Sequence, residues 1–188
     1  MNASGEHSLT SSVRFSTFPR TEPPPDWGTQ IVDVFRRHHS EIDTVALLKG
    51  LTSDETMAVL APDLEAIGFT VEKGKKAKQK IDRPVFFGEN GVPTVRYQVD
   101  GYHSGWRCGL EIEAGRGWMG NAVYRDLVHA MVMVDVDWLC LAVSNSYKYS
   151  SGGKDMSSRD YDNARDLADA LYGHARIRLP YRLLLIGY

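Results

Sequence analysis

The stretch Thr94-Val-Arg96-Tyr97-Gln98-Val99-Asp100-Gly-Tyr102-His103-Ser104-Gly105-Trp106-Arg107-Cys108-Gly109-Leu110-Glu111-Ile112-Glu113 decides the fold. Two runs of alternating polar and apolar residues flank the turn dipeptide Ser104-Gly105, the pattern of a β-hairpin. A two-residue loop there pairs residues whose numbers sum to 209, setting Tyr97 against Ile112, Val99 against Leu110 and Gly101 against Cys108. That face is apolar or small throughout. The other face carries Arg96, Gln98, Asp100 and Tyr102 against Glu113, Glu111, Gly109 and Arg107. A slip of one residue would mix the two sets, so the polarity itself supports the register.

In this register Asp100 lies opposite Gly109, whose missing side chain leaves room, and diagonal to Glu111. Diagonal neighbours sit about 7–8 Å apart at Cα, close enough to share one cation. Glu113 follows two residues further along the same face. Three acids on one face repel one another unless a positive charge stands among them. Mg²⁺ suits such a place because it takes one or two carboxylates plus waters and substrate phosphate. The same alternation also fits a solvated outer face, and spacing alone leaves both readings open.

Working upstream, Thr52 and Glu55 form a capping box for a helix over Ser53–Ile67 with Met57, Leu60, Leu64 and Ile67 at helical spacing. Pro62 is expected to bend it or start a second piece, and Gly68 to end it before a strand at Phe69–Glu72. Asp26 reads as the N-cap of an earlier helix bearing Ile31, Val34 and Phe35, and a short helix with Ile42, Val45 and Leu48 follows it. Further strand candidates precede the hairpin at Val85–Phe87. Residues 1–25, rich in Ser, Thr, Glu and Pro, read as a flexible N-terminal arm whose Val13, Phe15 and Phe18 could dock, leaving 26–188 as one domain.

Downstream, Met119–Val134 reads as an amphipathic helix with Met119, Val123, Leu127, Ala130, Met131 and Val134 on its apolar side. Trp138–Val143 is a continuous apolar run, the mark of an interior strand. A loop over Ser144–Ser158, a helix at Asp160–Tyr172 and a strand at Tyr181–Ile186 complete an α/β domain with a mixed sheet flanked by helices.

Asp100, ten residues, then Glu111-Ile112-Glu113, in a hairpin followed by a helix, resembles the active-site motif of PD-(D/E)xK restriction-endonuclease-like nucleases. The element order from about residue 52 to 145 is similar to that family's α-β-β-β-α-β core. Glu113 stands where the commonest pattern has Lys, as in the E-x-E variant of the Bam/Bgl branch of type II restriction enzymes. The run Asn121-Ala-Val-Tyr-Arg125-Asp126-Leu127 is also similar to sequences of that branch, and Val99 replaces the proline before the first acid. The resemblance implies an Mg²⁺-dependent endonuclease (Mn²⁺ as substitute) acting on double-stranded DNA, and a homodimer if both strands are cut. It assigns metal binding to Asp100, Glu111 and the Ile112 carbonyl. Glu113 becomes a water-orienting base or second ligand, and a helix acid, Glu65 in preference to Glu55, completes the site.

Phosphate contact requires cations. Lys75, Lys76 and Lys78 in the basic run 73–83 are candidates, as are Arg116, Arg125 and Lys148, with Asn121 as a polar contact; each also fits an ordinary solvated or locally paired role. Tyr147 and Tyr149 could stack on bases or simply pack. His38, His39 and His103 have no ligand partners at metal spacing, and no G-x-S-x-G elbow, P-loop or dinucleotide fingerprint occurs.

The composition agrees with one domain: 188 residues, 43% hydrophobic, 24% charged, net charge −2. The near-neutral total hides a local +5 over residues 73–83, which leaves −7 on the rest. No apolar run is long enough for a membrane helix, residues 1–25 lack a secretory signal's pattern, and Cys108 and Cys140 are too few for a disulfide framework. A soluble, cytoplasmic protein is the expectation. The competing functional readings are a catalytically inactive nucleic-acid-binding or regulatory module on the same fold, and a repair or mobile-element nuclease without strict site recognition.

Overall fold

The computed structural model of the protein describes residues 12–74, 79–115 and 117–188. Strand β1 (Arg14–Phe18) and helices α1 (Gly28–Arg37), α2 (His39–Ile42) and α3 (Ser53–Ala66) precede β2 (Thr70–Val71). A hairpin of β3 (Ile81–Phe87) and β4 (Pro93–Val99) follows, then β5 (Gly101–His103), β6 (Cys108–Glu113), α4 (Ala122–Val132) and β7 (Trp138–Val143). A second hairpin, β8 (Tyr147–Ser151) and β9 (Lys154–Ser158), leads into α5 (Asp160–Gly173) and β10 (Arg182–Gly187).

Six strands build one mixed sheet in the order β1-β10-β7-β6-β5-β2. Neighbouring strands β6, β7 and β10 run parallel, so the two connections between them are crossovers, which contain α4 and α5. Alternation along β7 feeds two cores. Cys140 and Ala142 face one way with Ile31, Phe35, Leu60 and Leu64 of α1 and α3. Leu139, Leu141 and Val143 face the other way with Val123, Leu127 and Ala130 of α4 and Ala164 and Ala168 of α5. The expected mixed sheet flanked by helices is therefore present. Among the described residues no helix is long and apolar enough to cross a membrane.

Several expectations need correction. The second half of the N-terminal arm is not flexible but docked on the body, as its apolar residues allowed: β1 pairs antiparallel with β10, seating Phe18 against Leu183 at 1% exposure. The sheet edge supplies the backbone partners that a Ser/Thr-rich segment lacks on its own. The segment predicted as a helix through Leu48 is helical only over His39–Ile42, and Leu48 is 95% exposed. At α1 the N-cap is Trp27, with no side-chain cap from Asp26. The α3 capping box forms as expected, Thr52 and Glu55 exchanging both bonds, and Pro62 lies inside one continuous helix. The Ser144–Ser158 loop holds the β8–β9 hairpin, whose two-residue turn Gly152-Gly153 takes positive φ at both positions (+58° and +75°), the geometry of a type I′ turn.

The decisive hairpin also differs. Thr94–Tyr102 is not one strand: β4 pairs with β3 in a separate two-stranded sheet, the chain bends at Asp100, and β5 alone joins the main sheet. Its turn spans four residues, Ser104 to Arg107, closed by the Arg107 N–H donating to the Ser104 carbonyl at 3.3 Å. Arg107 there adopts φ +48°. The observed pairs, Gly101 with Leu110, Tyr102 with Gly109 and His103 with Cys108, are displaced by two from the expected register. A shift of two keeps the β5 and β6 side chains on their predicted faces, but Tyr97 and Val99 of β4, before the bend, pack on the Tyr102 side instead of against Ile112 and Leu110.

Leu141 is fully buried in the central strand. Leu141→Ala is expected to cost about 2–5 kcal/mol in chemical denaturation, the range for a large-to-small change in a packed core. An exposed-site control such as Leu48→Ala should change stability by less than about 0.5 kcal/mol.

Candidate active site

The bend at Asp100 builds the site. Continuing the β5–β6 register by one residue sets Asp100 directly opposite Glu111 instead of diagonal to it. There the side chain takes over from the backbone: Ile112 N–H donates to Asp100 Oδ2 at 2.9 Å. A strand residue's N–H and C=O point to the same side, so the Ile112 carbonyl faces the Asp100 side as well. Gly109 does not stand opposite Asp100 as expected; it pairs with Tyr102, and a Cβ there would make only ordinary contacts with Val99 and Val136 at 3.5–3.6 Å.

Glu111 projects from β6 toward α4, and with Asp100 it lines a cavity of about 480 Å³ between β6, α4 and the β3–β4 hairpin. Asp126, Arg125 and His129 of α4 line the same cavity, with Glu72, Lys80, Arg96 and Tyr97 on its other walls. Glu113 adjoins it through Arg125, whose Nη2 donates to Glu113 Oε1 at 2.8 Å while its Nε donates to Asp126 Oδ1 at 2.9 Å. Lys80 donates to Glu72, which carries the sheet past β2 by giving its N–H to the Asp100 carbonyl at 2.8 Å.

The electrostatics are those of acids held out of water with too few cations. Burial pushes the Asp100 carboxyl up to about 6, with Glu72 and Glu113 adding repulsion and the Ile112 N–H opposing it. Burial also raises Glu111 well above the usual carboxylate range, reinforced by Asp100, Asp126 and Glu113. Asp126 goes up to about 8 because it is buried and lies against Glu113, Arg125 pulling the other way. Its Oδ2 is buried and accepts no hydrogen bond. Such a set favours a cation or bound protons.

A hard cation fits part of this arrangement. Asp100 at the bend and Glu111 on β6 line one cavity, with the Ile112 carbonyl on the Asp100 side of β6, and Mg²⁺ needs only one or two carboxylates when waters and phosphate complete its shell. Among the described residues no group of three or more His, Cys, Asp or Glu side chains is arranged to hold a metal ion by itself.

The other predicted residues are placed as follows. Glu65 lies outside the acid cavity, paired with Lys73 at 3.0 Å in a neighbouring groove of about 450 Å³ between α3 and β2 that shares Asp100 and Glu72 with it. Asn121 is the exposed N-cap of α4 at φ +60°. Lys148 is spent on the loop carbonyls of Val45, at 2.7 Å, and Leu47. Lys75, Lys76, Lys78 and Arg116 lie outside the described residues.

Sequence reasoning missed Asp126, Glu72 and Lys80 as site residues. A signal existed for Asp126: it is the one acid among the core-facing positions Val123, Asp126, Leu127 and Ala130 of α4. Glu72 and Lys80 become neighbours only when β3 returns beside β2, which no local pattern announces.

Comparison with protein-family models, with curated proteins and with solved structures finds no match.

The raised carboxyls dictate a pH dependence in metal-free buffer. The folded state holds protons that the unfolded chain releases near pH 4, so stability is full below that point and falls as pH rises toward 8. Asp126→Asn, which keeps an acceptor for Arg125, should flatten that fall. Its melting temperature should exceed the native protein's at pH 8 and match it at pH 4. Equal pH profiles for the two proteins would contradict the assignment.

Proposed function

We propose that this protein is a metal-dependent endonuclease of restriction-endonuclease type that hydrolyses DNA phosphodiester bonds. The observation that carries the reading is that Asp100, at the strand bend, and the buried Glu111 line one cavity with cationic side chains on its walls. The path α3, β2, β5, β6, α4, β7 supports it, since these elements follow the α-β-β-β-α-β order with the β3–β4 hairpin as an insertion.

In this reading Asp100, Glu111 and the Ile112 carbonyl would hold Mg²⁺, with Mn²⁺ as a substitute, and the ion would supply positive charge beside the phosphate and lower the pKa of a bound water. The chain's own groups do the remaining work. Glu113 orients the attacking water, with Asp126 beside it able to share the proton taken up. Arg125, bonded to both acids, has a side chain 54% exposed and can turn its free guanidinium edge to a phosphate oxygen. Lys80 and Arg96 stand on the cavity walls where a phosphate backbone would enter. Cleavage of both strands of a duplex asks for two such sites and hence two copies of the chain.

The test is nicking of supercoiled plasmid with Mg²⁺ or Mn²⁺. Glu111→Gln should lower the rate by about 100-fold or more, the scale expected for loss of a group acting on the transition state. Calorimetric Mn²⁺ binding should be lost in Asp100→Asn. Absence of metal-dependent cleavage across varied duplexes, with Mn²⁺ binding unaffected by Asp100→Asn, would overturn the proposal in favour of a non-catalytic module.

A further inference from the structure

We propose that the outer half of the β3–β4 hairpin is a DNA-inserting element, its exposed phenylalanines entering the duplex and parting a base step beside the acid cavity. The inference rests on the nuclease reading for its ligand, and it gives that ligand a contact outside the acid site.

The root of the hairpin is firmly seated. Tyr97 stacks on His129 with ring centroids 4.0 Å apart, Val134 N–H donates to the Pro84 carbonyl, and Ile81, Val85 and Val99 are buried. Outward of Val85 the cover stops. Every residue from Phe86 to Val92 is exposed, as are Thr94, Val95 and Arg96 on the returning strand. Successive strand residues point to opposite faces, so the outer half stands clear of the body on both of its faces.

Four side chains of this free ribbon are apolar: Phe86, Phe87, Val92 and Val95 are 63%, 55%, 57% and 38% exposed. The ladder itself is irregular here, its register shifting between Pro84 and Phe86 and again between Phe86 and Phe87. A two-stranded ribbon is marginally stable in water, and aromatic rings left in solvent add nothing to it. The arrangement suits a ribbon that is covered only when it enters something.

What borders the ribbon selects its occupant. Arg96, opposite Pro84 in the ladder, lines the acid cavity with Lys80, and its pairing with Asp82 is loose at 4.0 Å, which leaves its guanidinium donors for a phosphate. Phe86 lies two residues outward of Pro84, about 6–7 Å along the strand, or about two base pairs of duplex. Phenylalanine set between base steps unstacks and kinks DNA, and a two-stranded ribbon is narrow enough to enter a groove. The turn at the tip is Glu89-Asn90-Gly91, which leads any insertion. A carboxylate is costly in hydrocarbon, whereas Glu and Asn both find partners on base edges, cytosine N4 and adenine N6/N7. Parting a step costs least at TA and CA/TG, so the hairpin gives this nuclease a preference for such a step about two base pairs from the phosphate bound by Arg96.

The test titrates the full chain into duplexes carrying 2-aminopurine at successive positions, in EDTA and again with Ca²⁺ in place of Mg²⁺, with plasmid nicking in Mg²⁺ run alongside. Emission should rise severalfold at one position, where the probe loses its stacking neighbour, and stay flat elsewhere. The double variant Phe86→Ala/Phe87→Ala should abolish that rise and weaken duplex affinity by about 10-fold or more, the scale of a lost base–aromatic stack. Both sites are exposed, so its melting temperature should match the native protein's. Nicking with no rise in emission at any position would overturn the insertion and leave the nuclease reading standing. A rise in emission without nicking would do the reverse. A double variant that unstacks the probe as the native chain does, or that instead loses binding to anionic vesicles, would also overturn the proposal.

Discussion

The Asp100 carboxylate does the work of a peptide group. At that residue the chain leaves one sheet and enters another, and β6, still paired with β7, loses its partner on the β5 edge. An unpaired buried N–H is costly, and Asp100 Oδ2 meets the one on Ile112. The bond fixes the bend and holds the carboxylate against Glu111. The β3–β4 hairpin is held over α4 by further contacts, the Val134 N–H on the Pro84 carbonyl at 3.1 Å and Tyr97 stacked on His129, and walls the cavity.

A buried acid cluster is a standing electrostatic cost. Arg125 offsets part of it through Glu113 and Asp126, but Asp100 and Glu111 receive no direct guanidinium bond among the described contacts. The protein therefore retains protons on these carboxyls at a pH where exposed acids would have lost them. Under the proposed function, a divalent cation bound between Asp100 and Glu111 would take the place of these protons.

Much of the fold is legible in local pattern. The capping box at Thr52 and Glu55, the apolar run of β7 and the turn signal at Ser104-Gly105 each depend on residues close in sequence. The acid face survived an error in register because strand periodicity is two, and the true turn is longer by two residues. The α4 stripe misled because periodicity does not say which apolar residues have a neighbour. Met131 and Val134, expected in the core, are 41% and 51% exposed. The N-terminal strand was hidden because its partner, β10, stands at the far end of the chain.

The sequence by itself determined that Asp100, Glu111 and Glu113 share a polar face and that a mixed sheet carries them, because alternation and turn residues act over a few positions. Only the tertiary structure decided that Asp100 stands across from Glu111, that Asp126 joins them, and that Glu72 and Lys80 replace Glu65 at the cavity wall. Those neighbours come from different elements, and their meeting depends on how the sheet, the inserted hairpin and α4 close on one another. Burial, which sets the protonation of these acids, is a property of that closure and of no segment alone.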